Sequence, residues 1–206
     1  MRYDSYSYLW PPRPVNSIQT IMLPFYERQG HVAQIKMNGT CSVIAVSPDG
    51  YLTTMTRHNE PHRAWAPTEG SSKAFRSLPG EGWYVFVAEL MHSKVPGIRD
   101  INYINDILVH DGEHLTGATY SDRQQMLTAL FPAQSETLSH YVVDAHTWLA
   151  KTHTGGFQSL FKGLSRPEHE GLVIKNPKAP LALCFRENGN WNWQVKIRKP
   201  TKNYSS

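Results

Sequence analysis

The chain has 206 residues, 40% of them hydrophobic, and 21 Lys and Arg against 17 Asp and Glu give a net charge of +4. That is the composition of a folded protein with one core, and its mild basic excess permits a polyanionic partner without demanding one. No apolar run approaches the roughly 20 residues of a membrane span, and the opening MRYDSYSYLWPPRP is too polar, aromatic and proline-rich for a secretory signal, so the expectation is a soluble, intracellular protein without membrane contact.

In chain order, residues 1–14 set Tyr3, Tyr6, Tyr8 and Trp10 before Pro-Pro-Arg-Pro, which predicts an extended arm packed on the domain, because prolines break a helix. A short helix is expected around residues 17–23, ending near Pro24. Residues 32–46 and 51–57 predict two antiparallel strands joined by the Ser-Pro-Asp-Gly turn. Residues 58–80, polar and rich in Gly, Pro and Ser, predict a long loop. GWYVFVAEL resumes as a strand with Trp83, Val85, Val87 and Glu89 on one face. INYINDILV is a further strand, and HDGEH turns the chain. YSDRQQMLTALF predicts a helix with Ser121 as N-cap and Met126, Leu127 and Leu130 as its apolar positions. SHYVVDAH reads as a short strand. A mixed segment follows, with helix on both sides of Gly155-Gly156. EGLVIKN, LALCFREN and WNWQVKIRKP predict the final strands. Strands dominate without regular strand–helix alternation, so the fold class expected is α+β, with antiparallel sheets flanked by helices. Cys41 and Cys184 each lie in an apolar stretch and are expected as buried free thiols. The histidines are scattered and offer no convincing zinc site.

Lys36 is the anomaly. It interrupts the apolar run VAQIKMNGTCSVIAV, and a buried ammonium is costly unless it neutralises or finds partners. It sits either on the wet face of a half-exposed strand or in a pocket as a nucleophile. Gln34 shares its face at i−2, and Gly39 permits a close backbone approach three residues on. WQVKIRKP alternates, with Trp193, Val195 and Ile197 on one side and Gln194, Lys196 and Arg198 on the other. A lysine and an arginine aimed together from an apolar base make a phosphate clamp, although a solvated strand face gives the same alternation. Glu170, Leu172 and Ile174 share a face of EGLVIK, so a carboxylate leads an apolar strand, and Glu89 closes WYVFVAEL. Such carboxylates suit a ribose hydroxyl or Mg²⁺.

The order of these features resembles the covalent nucleotidyltransferase superfamily of ATP-dependent DNA and RNA ligases and mRNA capping enzymes. KMNGT is similar to its first motif, with Lys36 as the lysine that becomes adenylated. Arg57 in TRHNE matches an arginine contacting ribose and the nucleic acid, and Glu89 in VAELM matches the ribose-binding glutamate. The segment from INDIL to the YSDRQQML helix resembles the F-D-I-L, turn and E-R-R stretch. Glu170 in EGLVIK matches the metal-linked carboxylate, and Lys196 and Arg198 in VKIRK stand for two lysines. Together these span residues 34–198. The departures are Asn38 for the usual Asp, Cys41 for a frequent Arg, Arg198 for the second lysine, and Asn105 where an aromatic stacks on adenine. Tyr103, two residues earlier, is the expected substitute.

The resemblance implies a single nucleotidyltransferase (adenylation) domain over residues 1–206, with the arm at 1–14 and no C-terminal OB-fold, since only PTKNYSS follows the fifth motif. It implies catalytic Lys36, Lys196 and Arg198, and nucleotide binding by Gln34, Lys36, Gly39, Arg57, Glu89, Tyr103, Asn105, Lys196 and Arg198. It also implies a divalent ion, Mg²⁺ or Mn²⁺, at Glu170 and Glu89. ATP would leave AMP on Lys36, for sealing nicks in duplex DNA with tolerance of an RNA strand, by a monomer. The arm and a loop with Arg57, His62, Arg63 and Lys73 would hold the duplex through salt-sensitive contacts. The alternatives are an RNA ligase or GTP-dependent capping-type transferase, and a non-catalytic nucleic-acid-binding module.

Overall fold

The computed structural model describes residues 1–187 and 189–200; Asn188 and the tail 201–206, including most of PTKNYSS, lie outside the described residues. The secondary structure comprises β1 (Val32–Met37), β2 (Thr40–Val46), β3 (Leu52–Thr56), β4 (Tyr84–Met91), β5 (Ile101–His110), β6 (Glu113–His114), β7 (Ser135–Glu136), β8 (His140–Val142), β9 (Thr147–Ala150), β10 (Thr152–His153), β11 (His169–Lys175) and β12 (Gln194–Arg198). The helices are α1 (Leu23–Arg28), α2 (Glu69–Arg76), α3 (Tyr120–Leu130) and α4 (Phe157–Lys162). This is the α+β architecture expected. An eight-stranded sheet runs β3-β2-β4-β5-β9-β8-β7 with β6 against β5, and a four-stranded sheet runs β10-β1-β11-β12. Pairing is antiparallel throughout both sheets except between β5 and β9, which are parallel.

Residues 32–46 are therefore two strands, not one. The chain leaves β1 at Met37, turns at Asn38-Gly39 and enters the other sheet as β2. Gly39 permits this turn: a Cβ there would lie 2.6 Å from Glu89 Cγ and 2.7 Å from the Leu90 carbonyl. The expected loop at 58–80 contains α2, which Thr68 opens with a reciprocal capping box to Ser71. A short polar helix of this kind has little apolar periodicity to betray it. α1 starts at Leu23 rather than ending before Pro24, because proline is tolerated in a first turn, where its missing N–H has no partner to lose. Thr119, not Ser121, caps α3, exchanging bonds with Asp122. Helix flanks Gly155-Gly156 on one side only. Strands β9 and β10 precede the pair, and Glu27 of α1 accepts the Gly156 and Phe157 N–H groups at 3.0 Å each to open α4. Segment 181–187 forms turns rather than a strand: the Asn190 amide brackets Ala182, accepting its N–H at 2.8 Å and donating to its carbonyl at 3.1 Å.

Two cores result. One lies on the large sheet beneath α2 and α3, with Phe75, Phe86, Leu127 and Phe131 fully packed. The other lies between the sheets, joining Ile35, Leu172, Ile174 and Ile197 to Met91, Ile101 and Tyr103. Asp106 of β5 and Arg123 of α3 form a sealed ion pair at 2.8 and 3.0 Å, and Arg123 also donates to the Ala118 carbonyl at 2.8 Å. The arm is anchored by buried Tyr3 and Leu9. No described helix is long and apolar enough to cross a membrane. Both cysteines are free, Cys184 buried and Cys41 half-buried, and burial pushes each thiol up to about 12.

Candidate active site

Strand register builds the site. Val32, Lys175 and Gln194 stand abreast, then Gln34, Val173 and Lys196, then Lys36, Gly171 and Arg198. Partners opposite one another project to the same face, so one face of the small sheet carries the polar set while Ile35, Leu172 and Ile197 face the core. Period two thus answers how a strand can hold Lys36 without burying it in hydrocarbon. Gly171 lies between Lys36 and Arg198, and a Cβ on it would sit 1.9 Å from the Ile197 carbonyl oxygen. Only glycine lets β12 approach β11 closely enough there.

The parity of EGLVIK places Glu170 with Leu172 and Ile174 on the apolar face. The structure corrects this. At the strand's edge, where pairing slips between Lys36 and Met37, the Glu170 carboxylate accepts from the Lys36 ammonium and forms an ion pair with the Arg198 guanidinium. Lys36 and Glu170 are 17% exposed and Arg198 33%, so the cluster opens to solvent. One carboxylate therefore serves two cations, with Lys196 alongside. Partial burial lowers the Lys196 pKa, and the charges of Arg198, Lys36 and Arg13 add to this while Glu170 opposes it. The cluster carries more positive than negative charge, which suits a phosphate.

The turn carrying Lys36 is tied at both backbone groups of Gly39. Its N–H donates to Glu89 Oε1 at 3.2 Å, and the Lys94 ammonium donates to its carbonyl. Burial raises the Glu89 pKa against the pull of Lys36 and Lys94. Farther along the face, Lys175 is buried, donates to Gln34 Oε1 at 2.7 Å, and stands 4.4 Å from the centre of the Tyr120 ring. Lysine only donates, so the Gln34 oxygen must face it. The Gln34 amide nitrogen then donates to Gln124 Oε1 at 3.3 Å, and Gln124 to the Asn105 carbonyl at 3.2 Å. Burial lowers Lys175 to about 8.

Gln34, Lys36, Gly39, Glu89, Glu170, Lys196 and Arg198 thus gather around one stretch of sheet. Asn105 reaches it through its main chain. Arg57 is exposed beyond β3, bonded to His58 at 3.0 Å, and its charge reaches Cys41. Tyr103 is not at the site. It is 2% exposed within the inter-sheet core, and its hydroxyl donates to the Ile35 and Ser139 carbonyls, so no ring face is open to a base. Of the loop proposed to hold duplex, His62 turns inward to Ser42 Oγ at 3.0 Å, and Lys73 lies on α2. Sequence reasoning missed Arg13, Lys94, Gln124 and Lys175. Lys175 had a signal, since it shares the parity of Gly171 and Val173; Arg13 and Lys94 come from distant segments and had none.

Among the described residues no three His, Cys, Asp or Glu side chains converge on a point. Glu170 supplies one carboxylate beside the cations. That fits a magnesium or manganese ion held mainly by nucleotide phosphates and water, the usual mode for Mg²⁺.

Residues 88–196, more than half the chain, match the family model for the ATP dependent DNA ligase domain. No curated protein matches the sequence. Among solved structures, the ligase domain of LigD from M. tuberculosis superposes with a TM-score of 0.66 at 15% identity, over 92% of this chain and 60% of that one. A mycobacterial DNA ligase D complexed with ATP and MES gives 0.59 at 15% identity, over 82% and 54%. A Lig E DNA ligase, described as binding DNA with a minimal scaffold, gives 0.55 at 13% identity, over 92% and 69%. The chain spans 54% and 60% of the lengths of the two ligase D structures. At these identities the superpositions speak for the fold.

Proposed function

The chain belongs to the ATP-dependent DNA ligase domain family, and from that premise we propose that residues 1–206 act as a nucleotidyl-transferring domain that seals nicks in duplex DNA, accepting an RNA strand on one side. The observation that carries this reading is the meeting of Lys36 and Arg198 on the Glu170 carboxylate, with Lys196 beside them.

In the proposed first step the Lys36 ammonium gives up a proton, which Glu170 is placed to accept. The amine nitrogen attacks the α-phosphorus of ATP. An N–P bond forms, the bond from that phosphorus to the bridging oxygen breaks, and pyrophosphate leaves with the electron pair. Loss of the second amine proton yields a lysine–AMP phosphoramidate. Arg198 and Lys196 offset the charge that grows on the phosphoryl oxygens, and charge already positioned in a partly dry site is the most effective kind. Glu89 and Lys94 hold the Gly39 turn and so the reach of Lys36. A magnesium or manganese ion near Glu170 would supply further neutralisation of the phosphates. AMP then passes to a 5′-phosphate, and a 3′-hydroxyl displaces it. Gln34 and Asn105 are the proposed contacts to the base, and Arg57 to ribose and nucleic acid.

The test is incubation with α-labelled ATP or GTP followed by denaturing electrophoresis, for the native chain and Lys36→Ala. The expected result is a covalent label from ATP that Lys36→Ala abolishes while keeping a native melting curve. Label retained in the variant would refute Lys36 as the nucleophile. Label from GTP alone would reassign the chain to capping-type chemistry, and no label at all to a binding module. Nicked duplexes with DNA or RNA on the 3′-hydroxyl side then separate the substrate classes.

A further inference from the structure

The N-terminal arm crosses one end of the cationic cluster and is pinned on both sides of Pro-Pro-Arg-Pro. Upstream, the Tyr8 hydroxyl donates to the Thr56 carbonyl at 3.0 Å, and the Trp10 N–H to the Cys184 carbonyl at 2.7 Å. Downstream, the chain adds itself in parallel to the outer edge of β12: the Lys196 N–H donates to the Asn16 carbonyl at 3.0 Å, and the Ile18 N–H to the Lys196 carbonyl at 2.9 Å. Between these anchors the Lys196 ammonium donates to the Pro14 carbonyl at 3.0 Å. Prolines on either side of Arg13 fix the backbone that carries it. Arg13 is thereby held beside Lys196, and its charge is felt there and at Cys41, which lies next to Glu89. Its guanidinium pairs with Glu187 at 2.9 Å, with side chains 33% and 43% exposed.

We propose that Arg13 is a further phosphate-binding residue, which exchanges Glu187 for the β- and γ-phosphates of the nucleotide that Lys36 attacks. The proposal rests on the lysine–AMP reading for the identity of that nucleotide. Strand order places Lys36 on β1 and Arg198 and Lys196 on β12 along one face, and the arm segment that follows Arg13 lies beyond β12. Three strand spacings separate β1 from that arm segment, roughly 14 Å at about 4.8 Å each. By strand order Arg13 follows the arm one step farther from Lys36 than Lys196 and Arg198 on β12, which suits the outer phosphates of a nucleotide whose α-phosphate lies at Lys36. Giving up the Glu187 pair costs little, because a half-exposed ion pair is weak, whereas a guanidinium and a phosphate make paired charge-assisted hydrogen bonds. Glu187 keeps the guanidinium neutralised until the phosphates arrive.

The test is calorimetric titration of the full chain with inorganic pyrophosphate, with AMP as the control ligand. Arg13→Ala is expected to weaken pyrophosphate about tenfold or more, a loss of one charge-assisted contact, while AMP affinity changes less than twofold. Arg13→Lys should restore part of the loss. Glu187→Gln, which removes the competitor, should tighten pyrophosphate several-fold and serves as the deciding variant if Arg13→Ala fails to fold. Unchanged pyrophosphate affinity in Arg13→Ala or in Glu187→Gln, or equal losses for AMP and pyrophosphate, would overturn the proposal. A chain that loses pyrophosphate on Arg13→Ala but takes no covalent label from ATP keeps the phosphate site and loses the ligase reading.

Discussion

Two ion-pair clusters of this molecule use the same chemical groups for opposite ends. Asp106 and Arg123 are 2% and 0% exposed, and each oxygen of the carboxylate meets its own guanidinium nitrogen. The remaining donors of Arg123 face the Ala118 carbonyl and the rings of Tyr120 and Trp193. Both side chains are almost wholly shielded from solvent. At the other cluster a single carboxylate, Glu170, is divided between Lys36 and Arg198, all three are partly exposed, and Lys196 and Arg13 add charge nearby. A closed pair specifies how α3 docks on β5. An open, cation-rich one is, in the proposed function, where the phosphates bind. The lesson is that saturation and exposure, not the presence of a salt bridge, set the closed pair apart from the open one.

The contrast can be broken from either side. Arg123→Ala leaves the Asp106 carboxylate buried and unpaired, which should cost about 3–5 kcal/mol of stability, read as the shift in a urea midpoint. Glu170→Ala should melt closer to the native chain, since its cations can reach water; equal losses in the two variants would erase the distinction. Next, Lys196→Ala removes one positioned charge from the open cluster. It should slow self-adenylation by about 3–4 kcal/mol of barrier and leave the melting midpoint within a few degrees, measured by single-turnover labelling. A near-normal rate would make Lys196 a surface residue.

The smallest effect sharpens the comparison between the clusters, at Lys175. Burial depresses it to about 8 in the folded chain, from 10.5 unfolded. The unfolded state thus binds the proton more tightly, so this group penalises folding below pH 8, and its penalty fades as pH rises from about 8 to 10.5. Lys175→Met should flatten that part of the stability–pH curve. An unaltered slope in denaturant titrations at pH 7.5, 8.5 and 9.5 would mean that Gln34 and the Tyr120 ring compensate the buried charge fully.

Much of the site was legible in the residues because strand parity is a local rule. Lys36 with Gln34, and Lys196 with Arg198, fall on one face by counting in twos, and the register places both pairs on the same face. The same rule failed at Glu170, because a register slip at the edge of β1 lies outside any one strand's periodicity. It failed again at Tyr103, where parity could not tell an inter-sheet core from a pocket wall. Helix α2 was missed and α1 misplaced for a different reason. Their starts depend on a capping box and on proline in a first turn, signals carried by one or two residues rather than by a repeating pattern.

The sequence by itself determined the fold class, the apolar and polar faces of the principal strands, and the need for glycine at 39 beside a lysine that was out of place in its run. Only the tertiary structure decided that β1 and β2 belong to different sheets, that Glu170 is shared between two cations, and that Arg13 and Lys94 reach the site from elsewhere in the chain. The physical reason is range. Side-chain alternation, turns and caps are set by neighbours a few residues apart, whereas the sharing of one carboxylate depends on segments more than 130 residues apart, and no local pattern encodes which of them will meet.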